Sequence, residues 1–308
     1  MQYVQLEQEV LTVVRDKTFG SRITDIVLIV VLVVITLSCV LPIWYTLSLS
    51  LSSNSAAAAG EVWLWPVDFN LNAYTQILND NQFFKSFWIS TQRVLLGVAL
   101  NFIIVVLMSY PLSRTAREFK GRNLFMWILI FTMLFNGGLI PLYLTIKELN
   151  LLNSIWALVL AGGAQTLVFN VILTMNFFRN LPKELDEAAL VDGAGPWYIM
   201  FKIYIPLAVP VLATVSLFSI VYHWNEFLYG LIFMTREEFY PLQTYIQQLV
   251  VSVDPSTMSE DQYRRLSELS NRTLDAAKIF IAMLPVLIVY PFLQRFFIHG
   301  ITLGSVKE

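Results

Sequence analysis

Four carboxylates lie close together in a polar stretch between two long apolar segments. They are Glu184, Asp186, Glu187 and Asp192. Acids in the first turns of a helix complement its dipole, and carboxylates can pair with basic groups on another protein. Ala188 and Ala189 leave a shallow surface that such a protein could approach closely. An ordinary amphipathic loop helix gives the same pattern, so composition alone leaves both interpretations open.

The residues around these carboxylates predict where the polar helix begins and ends. Pro182 suits a first helical turn, where its missing N–H costs nothing. Gly193 and Gly195 can take left-handed backbone angles, and Pro196 is expected to prevent the helix from resuming. The result is a helix of about ten residues within about 182–195, roughly 15 Å long and too short to span a bilayer.

A second group of polar residues falls inside an apolar segment. His223, Trp224, Asn225 and Glu226 are consecutive, and a charged Glu in a membrane span is a candidate functional residue. Tyr222 and Trp224 could stack on sugar rings, and Asn136 lies in a polar break, Asn136-Gly137-Gly138, of another apolar segment. Lining of a solute path and a structural or interfacial role both remain open for these residues.

No catalytic set is apparent in the sequence. The two histidines, His223 and His299, are far apart and have no metal-ligand partner at helical spacing. No Gly-Lys dipeptide occurs, so the chain lacks a phosphate-binding loop with its lysine. If the protein uses ATP to move a solute against a gradient, the ATPase site must therefore belong to a separate chain.

Composition identifies the broad class. Of 308 residues, 56% are hydrophobic and 14% are charged, where a soluble protein has about 25% charged residues. The sequence predicts an all-α integral membrane protein with six transmembrane helices. The predicted spans are 26–50, 86–110, 123–146, 155–175, 204–234 and 277–297, preceded by a polar segment, 1–25, and followed by a short tail.

Positive charges in the loops predict the orientation of the spans. They cluster before the first span, after the second and after the fourth, for example at Arg15, Arg114 and Lys183. Segment 235–276 is the exception, but it carries at least as many acids, and long loops cross largely regardless of charge. We expect both termini, residues 1–25 and the polar helix to be cytoplasmic.

The spacing within the polar segment resembles a known signature. Glu187-Ala188-Ala189, three residues, Gly193, nine residues, then Ile203-x-Ile205-Pro206 is similar to the EAA signature of permeases in bacterial ATP-binding-cassette (ABC) importers. Ile205 stands where that signature has Leu. The segments Trp224–Phe227 and Tyr290–Lys307 are similar to the maltose-type second permease, especially to permeases for oligosaccharides such as pectin and alginate fragments. The resemblance covers about residues 85–308, with a family core at about 85–300.

The resemblance implies roles for particular residues. The family's coupling helix sits in a cleft of the ATPase subunit, and the matching residues here are Glu184, Glu187, Ala188, Ala189, Asp192 and Gly193. The C-terminal tail, 298–308, would also reach the ATPase, through Gly300, Gly304, Ser305, Val306 and Lys307. Glu308 ends the chain where Gly is usual in the family. The implied fold is that of type I ABC importer permeases.

The resemblance also implies partners and a location. The chain would be a multi-pass permease of the bacterial cytoplasmic membrane, paired as a heterodimer with a second related permease. Two ATPase subunits, which bind ATP and Mg²⁺, and an extracytoplasmic solute-binding protein would complete the importer, whose solute would be an oligosaccharide. The alternative is a secondary transporter or channel that works alone, for which intramembrane charge pairs or an inverted repeat would be expected. One Glu in a span and no internal duplication argue against it.

Overall fold

The computed structural model describes residues 19–251 and 272–305, and within these ranges the chain is helical, without strands. The predicted cytoplasmic segment 1–25 therefore lies mostly outside the described residues. In chain order the helices are α1 (Phe19–Ser50), α2 (Asn54–Ala59), α3 (Asn72–Leu78), α4 (Asn81–Ser113), α5 (Arg122–Leu134), α6 (Leu139–Glu148), α7 (Ile155–Arg179), α8 (Glu184–Val191), α9 (Pro196–Ile199), α10 (Ile205–Leu207), α11 (Val209–Asn225), α12 (Leu228–Phe233), α13 (Leu242–Val251) and α14 (Arg272–Ser305). A π-helical turn, Met200–Tyr204, joins α9 to α10, and a 3₁₀ turn covers Glu237–Phe239.

The helices agree with the six predicted spans. Three described segments are long and apolar enough to cross a membrane: α1, α4 and the part of α14 up to Phe292. Three further spans are bent pairs: α5 with α6 at 112°, the two halves of α7, and α9–α10 with α11 at 79°. The predicted interruption at Asn136–Gly138 is confirmed, because the break between α5 and α6 falls there. The side of the membrane on which each terminus lies stays a prediction.

Two sequence-based boundaries were wrong. Pro196 was expected to keep the helix from resuming, yet it occupies the first turn of α9, where a residue without an N–H is tolerated. The sixth span was expected to end at residue 297, but α14 continues through Gly300 to Ser305. Val306 and Lys307 lie outside the described residues.

The interior is built around α4, which packs against α7 and α11. Val105, Val171 and Val215, one from each helix, are almost completely buried in the largest apolar cluster. Polar contacts join the same three helices: the Asn170 amide nitrogen lies 3.2 Å from Asn101 Oδ1 and 3.3 Å from Ser219 Oγ. Such interhelical hydrogen bonds and small-residue contacts replace the hydrophobic effect as the glue between helices in lipid.

The outer helices are held differently. The most apolar part of α1 is entirely unburied within the chain, and α1 packs along α14. At the start of α4, Asp80 accepts hydrogen bonds from the Phe83 N–H at 3.0 Å and the Tyr245 hydroxyl at 2.9 Å. Lys278 Nζ lies 2.7 Å from Asp80 Oδ2. This group of three side chains ties α13 and α14 to the beginning of α4.

We predict that Gly97 cannot be enlarged. A Cβ at Gly97 would overlap the His223 ring, whereas a Cβ at Gly163, on α7, would meet nothing within 4 Å. Gly97→Ala should lower the unfolding free energy by about 1–3 kcal/mol, the usual cost of overpacking. Thermal unfolding of the detergent-purified protein should show a clear loss for Gly97→Ala and none for the control Gly163→Ala. Equal melting temperatures for both variants would contradict the close packing of α4 on His223.

The Asp80 group predicts an acid-dependent part of the stability. Burial raises the pKa of Asp80, but hydrogen bonds from Lys278, the Phe83 N–H and Tyr245, with the Lys278 charge, outweigh this and leave the pKa below its ordinary value of 3.8. A lowered folded-state pKa gives stability that is present above the ordinary pKa and lost as pH falls through the lowered one. Melting temperatures measured from neutral pH to below pH 4 should therefore fall more in the wild type than in Asp80→Asn. Asp68→Asn, in an exposed loop, should keep the wild-type profile.

Candidate functional site

Helix α8 is shorter than the sequence suggests. It covers the eight residues Glu184–Val191, with Glu184, Asp186 and Glu187 in its first turn, where the helix dipole favours negative charge. Gly193 ends it with a positive φ of 77°, as expected, and the Ala194 N–H donates to the Ala189 carbonyl at 2.9 Å. Gly195 has φ −79° and takes no part in a left-handed turn, so only one of the two expected glycines has this role.

The predicted coupling residues divide between two faces of α8. Glu184, Glu187, Ala188, Asp192 and Gly193 are exposed, and Val191 between them is 88% exposed. Ala189 is 8% exposed and packs into the main apolar cluster. Ala189 therefore packs α8 against the rest of the protein. The exposed surface that a partner could contact contains both acidic and apolar side chains.

Asp186 anchors α8 to the membrane-spanning helices. Arg114, just after α4, binds it with the two terminal nitrogens of its guanidinium group: Nη1 lies 2.5 Å from Oδ2 and Nη2 lies 3.2 Å from Oδ1. The Tyr204 hydroxyl, in the π-helical turn, donates to Asp186 Oδ2 at 2.6 Å. The guanidinium also lies over the rings of Tyr110 and Tyr204, 4.4 Å and 4.7 Å from their centroids. One carboxylate thus joins α8, α4 and the start of the fifth span.

The charge state of Arg114 is secure in this setting. Burial lowers the pKa of Arg114, but the hydrogen bonds to Asp186 and the nearby tyrosines outweigh it, and the pKa is raised overall. Sequence reasoning counted Arg114 only as a loop charge and left Asp186 out of the coupling residues. A planar guanidinium suits two-point binding to a carboxylate, but nothing in the spacing identifies a partner 72 residues away.

The break around Asn136 borders a groove. Asn136 Oδ1 accepts the Gly138 N–H at 2.9 Å, and Gly138 has a positive φ of 86°. The side chain of Asn136 therefore satisfies a backbone group that the bend between α5 and α6 frees. The groove beside it has a volume of about 500 Å³ and is lined by Asn136, Pro141, Phe169 and Tyr229 among others.

The other predicted path residues lie where α11 gives way to α12. Asn225 is exposed, and Tyr222 and Glu226 are partly buried. Trp224 is 5% exposed and donates from Nε1 to the Ala282 carbonyl at 2.9 Å, so it packs α11 on α14 and cannot line a path in this structure. Tyr222, Asn225 and Glu226 border a cavity of about 420 Å³, and Tyr229 borders both this cavity and the groove at Asn136.

Glu226 forms an ion pair that the sequence analysis missed. Arg93, on α4, is completely buried, and its Nη2 lies 2.5 Å from Glu226 Oε2 while Nη1 donates to the Glu226 carbonyl at 2.7 Å. Arg93 falls inside the predicted second span, so the expectation of one Glu without an intramembrane charge pair was wrong. An intramembrane charge pair is present, so the lack of one can no longer be used as an argument against a stand-alone transporter. The signal was available in the sequence as an arginine within the predicted second span, between Gln92 and Val94.

Comparisons with known proteins agree with this architecture. Residues 88–302 match the family described as binding-protein-dependent transport system inner membrane component. The chain is 36% identical over 287 residues to the polygalacturonan/rhamnogalacturonan transport system permease protein YtcP of Bacillus subtilis (93% of this chain, 99% of the relative). It is 35% identical to protein LplC of the same organism, over 94% of this chain and 97% of that one.

A solved structure supports the same fold. The chain is similar, with a TM-score of 0.80 and 35% identity over 91% of this chain and 98% of the other, to a subunit in the crystal structure of a bacterial ABC transporter involved in the import of the acidic polysaccharide alginate. The predicted permease fold, ABC importer function and inner-membrane location are thereby confirmed. This chain belongs to the family of inner membrane components of binding-protein-dependent transport systems, and it is the permease, a transport subunit, of an ABC importer.

Proposed function

We propose that this chain imports fragments of acidic polysaccharides, such as pectin or alginate pieces, as one of two related permeases. The support is that two similar proteins are named for the transport of acidic polysaccharides. One is named for polygalacturonan and rhamnogalacturonan transport, and the other belongs to an alginate importer. Polygalacturonan and alginate are both polymers of uronic acids, so a carboxylated sugar chain is the feature that they share.

The coupling step would take place at α8. A partner ATPase would contact the exposed residues at α8, which are Glu184, Glu187, Ala188, Asp192 and Gly193. This chain has no phosphate-binding loop, so ATP and Mg²⁺ would be bound by that ATPase. The observation that carries this proposal is the anchor at Asp186, which holds α8 to both Arg114 and Tyr204. An anchored surface helix can pass a displacement to α4 and to the fifth span, whereas a loosely tethered loop would absorb it.

The complete importer would hold this chain, a second permease, two ATPases and an extracytoplasmic solute-binding protein. Closure of the ATPases would draw the two coupling helices together and switch the path between its inward-facing and outward-facing states. In this chain α14 brings Gly300, Gly304 and Ser305 to the end of a long helix, from which Val306 and Lys307 would reach the ATPases. Co-purification tests the assembly: this chain should bring down an ATPase, whereas a stand-alone transporter should transport after purification alone.

The first of two predictions from this proposal concerns the exposed acids and the turn of α8. Glu187→Lys reverses a charge on the coupling surface, and Gly193→Pro forbids the backbone angle of φ 77°. Both variants should insert normally but lose transport-stimulated ATPase activity by about tenfold or more. In Glu187→Lys the reason is that like charges facing each other across an interface cost several kcal/mol; in Gly193→Pro it is the lost turn at the end of α8. The reconstituted complex supplies the measurement.

Glu148→Lys is the matched control, because Glu148 is an exposed acid at the end of α6, away from α8. It should keep the wild-type ATPase and transport rates. Wild-type coupling in Glu187→Lys and Gly193→Pro would remove α8 as the coupling contact.

The second prediction concerns the anchor. Arg114→Met leaves Asp186 with the Tyr204 hydroxyl alone, and losing hydrogen bonds between charged groups costs about 1.5–3 kcal/mol. We expect the ATPases still to bind this variant and to hydrolyse ATP, but the amount of solute moved per ATP hydrolysed should fall. Arg117→Met removes an exposed charge three residues further on and should be silent. Unchanged stoichiometry in Arg114→Met would show that α8 transmits motion without this anchor.

A further inference from the structure

The Arg93–Glu226 pair lies well inside the membrane-spanning part of the chain. Arg93 is the thirteenth residue of α4, about 18 Å from the start of the helix and roughly 30 Å from its end at 1.5 Å per residue. Its side chain is completely buried, whereas the Glu226 side chain is 11% exposed. The carboxylate therefore lies at the edge of the packed interior, and the guanidinium lies behind it.

Glu226 has a structural reason for its position. The break between α11 and α12 frees backbone groups where lipid cannot solvate them. Glu226 Oε1 accepts the Tyr229 N–H at 2.7 Å, at the start of α12. Arg93 Nη1 satisfies the Glu226 carbonyl. The carboxylate thus helps to build the break, but it also places a negative charge at this depth.

The charge lies beside open space. Glu226 borders the cavity of about 420 Å³ together with Tyr222 and Asn225. Asn225 is exposed, and an exposed amide next to non-helical backbone within a span belongs against water or another protein rather than lipid. Asn225 and Glu226 therefore place polar groups at the cavity wall, as a path for a polar solute requires.

Arg93 compensates this charge alone in the part of the chain that the structure describes. The Arg93 side chain has one ion-pair partner there, Glu226. His223 lies beside it, since both side chains would lie within 3.4 Å of a Cβ at Gly162, and Tyr222 is near enough to interact electrostatically with Arg93 and Glu226. Both ring nitrogens of His223 are buried and make no hydrogen bond there. The charges of Arg93 and Glu226 thus sum to zero at the wall.

We propose that Arg93 determines solute specificity by neutralising Glu226, so that a negatively charged oligosaccharide can pass the cavity wall. The inference rests on the proposed function, because it matters only for acidic solutes. An unpaired carboxylate in a low-dielectric wall would repel the carboxylates of a uronic-acid chain and leave neutral sugars unaffected. Arg93 acts through Glu226 and does not itself touch the solute.

Three variants test this inference. Arg93→Met leaves the charge of Glu226 uncompensated. Glu226→Gln keeps nearly the same side-chain shape but leaves the charge of Arg93 uncompensated. The double variant removes both charges. Each is reconstituted with the second permease, the ATPases and the solute-binding protein. Uptake is measured for a short oligogalacturonide or alginate oligosaccharide and for its neutral methyl ester. The binding protein's own preference cancels when each acid-to-ester ratio is divided by the wild-type ratio.

We expect the acid-to-ester ratio to fall about tenfold in Arg93→Met, to rise in Glu226→Gln and to return near the wild-type ratio in the double variant. A merely structural pair would slow both solutes equally, so unchanged ratios overturn the proposal. A low ratio in the double variant also overturns it, because Arg93 would then bind the solute directly. If Arg93→Met fails to assemble, the ratios of the other two variants decide. A wild-type complex that takes up only neutral sugars would instead refute the proposed acidic substrate.

Discussion

Backbone satisfaction at helix breaks is the constraint on which this structure depends. A spanning helix bonds its own N–H and C=O groups, and every interruption leaves some of them in a medium that cannot solvate them. The described part of the chain has such interruptions between α5 and α6, between α10 and α11, and between α11 and α12. Asn136 caps the first, and the Arg93–Glu226 pair satisfies the last. Asn136 and Glu226 are therefore placed where helices stop, whereas Asn101 and Asn170 join helices along their length.

Helix α4 provides the fixed frame for these breaks. It has no interruption in its 33 residues, and it carries Arg93 inside and is followed by Arg114. Arg93 holds the far end of α11, and Arg114 holds α8 and, through Asp186, Tyr204 near the start of the fifth span. One continuous helix thus holds both ends of a bent one, which lets the bent helix carry a break without losing its position.

Local patterns were sufficient for much of the fold. The apolar runs predicted six spans, Gly193 predicted the end of α8, and Asn136-Gly137-Gly138 predicted a broken third span. The two ion pairs were beyond reach because their partners are 133 and 72 residues apart in sequence. The charge count also failed for a physical reason: Arg93 was absorbed into an apolar run, since one arginine barely changes the mean hydropathy of a 33-residue helix. For Trp224, where path lining and a structural role were both open, the structure favours the structural role, because its indole N–H donates to the Ala282 carbonyl in α14.

The two arginines differ in what they must do, and their exposure agrees with this. The Arg114–Asp186 pair is partly exposed, with side chains 17% and 14% accessible, and it lies under a helix that is itself on the surface. A partner that displaces α8 would displace this ion pair. Because both side chains are partly solvated, the pair can shift without leaving an unsolvated charge. Arg93 is fully buried, so any separation from Glu226 would leave a charge unpaired in a dry interior, which is costly. Motion in the transport cycle is therefore expected to pivot about the Arg93 end of α4 and α11, with the larger displacement at the α8 end.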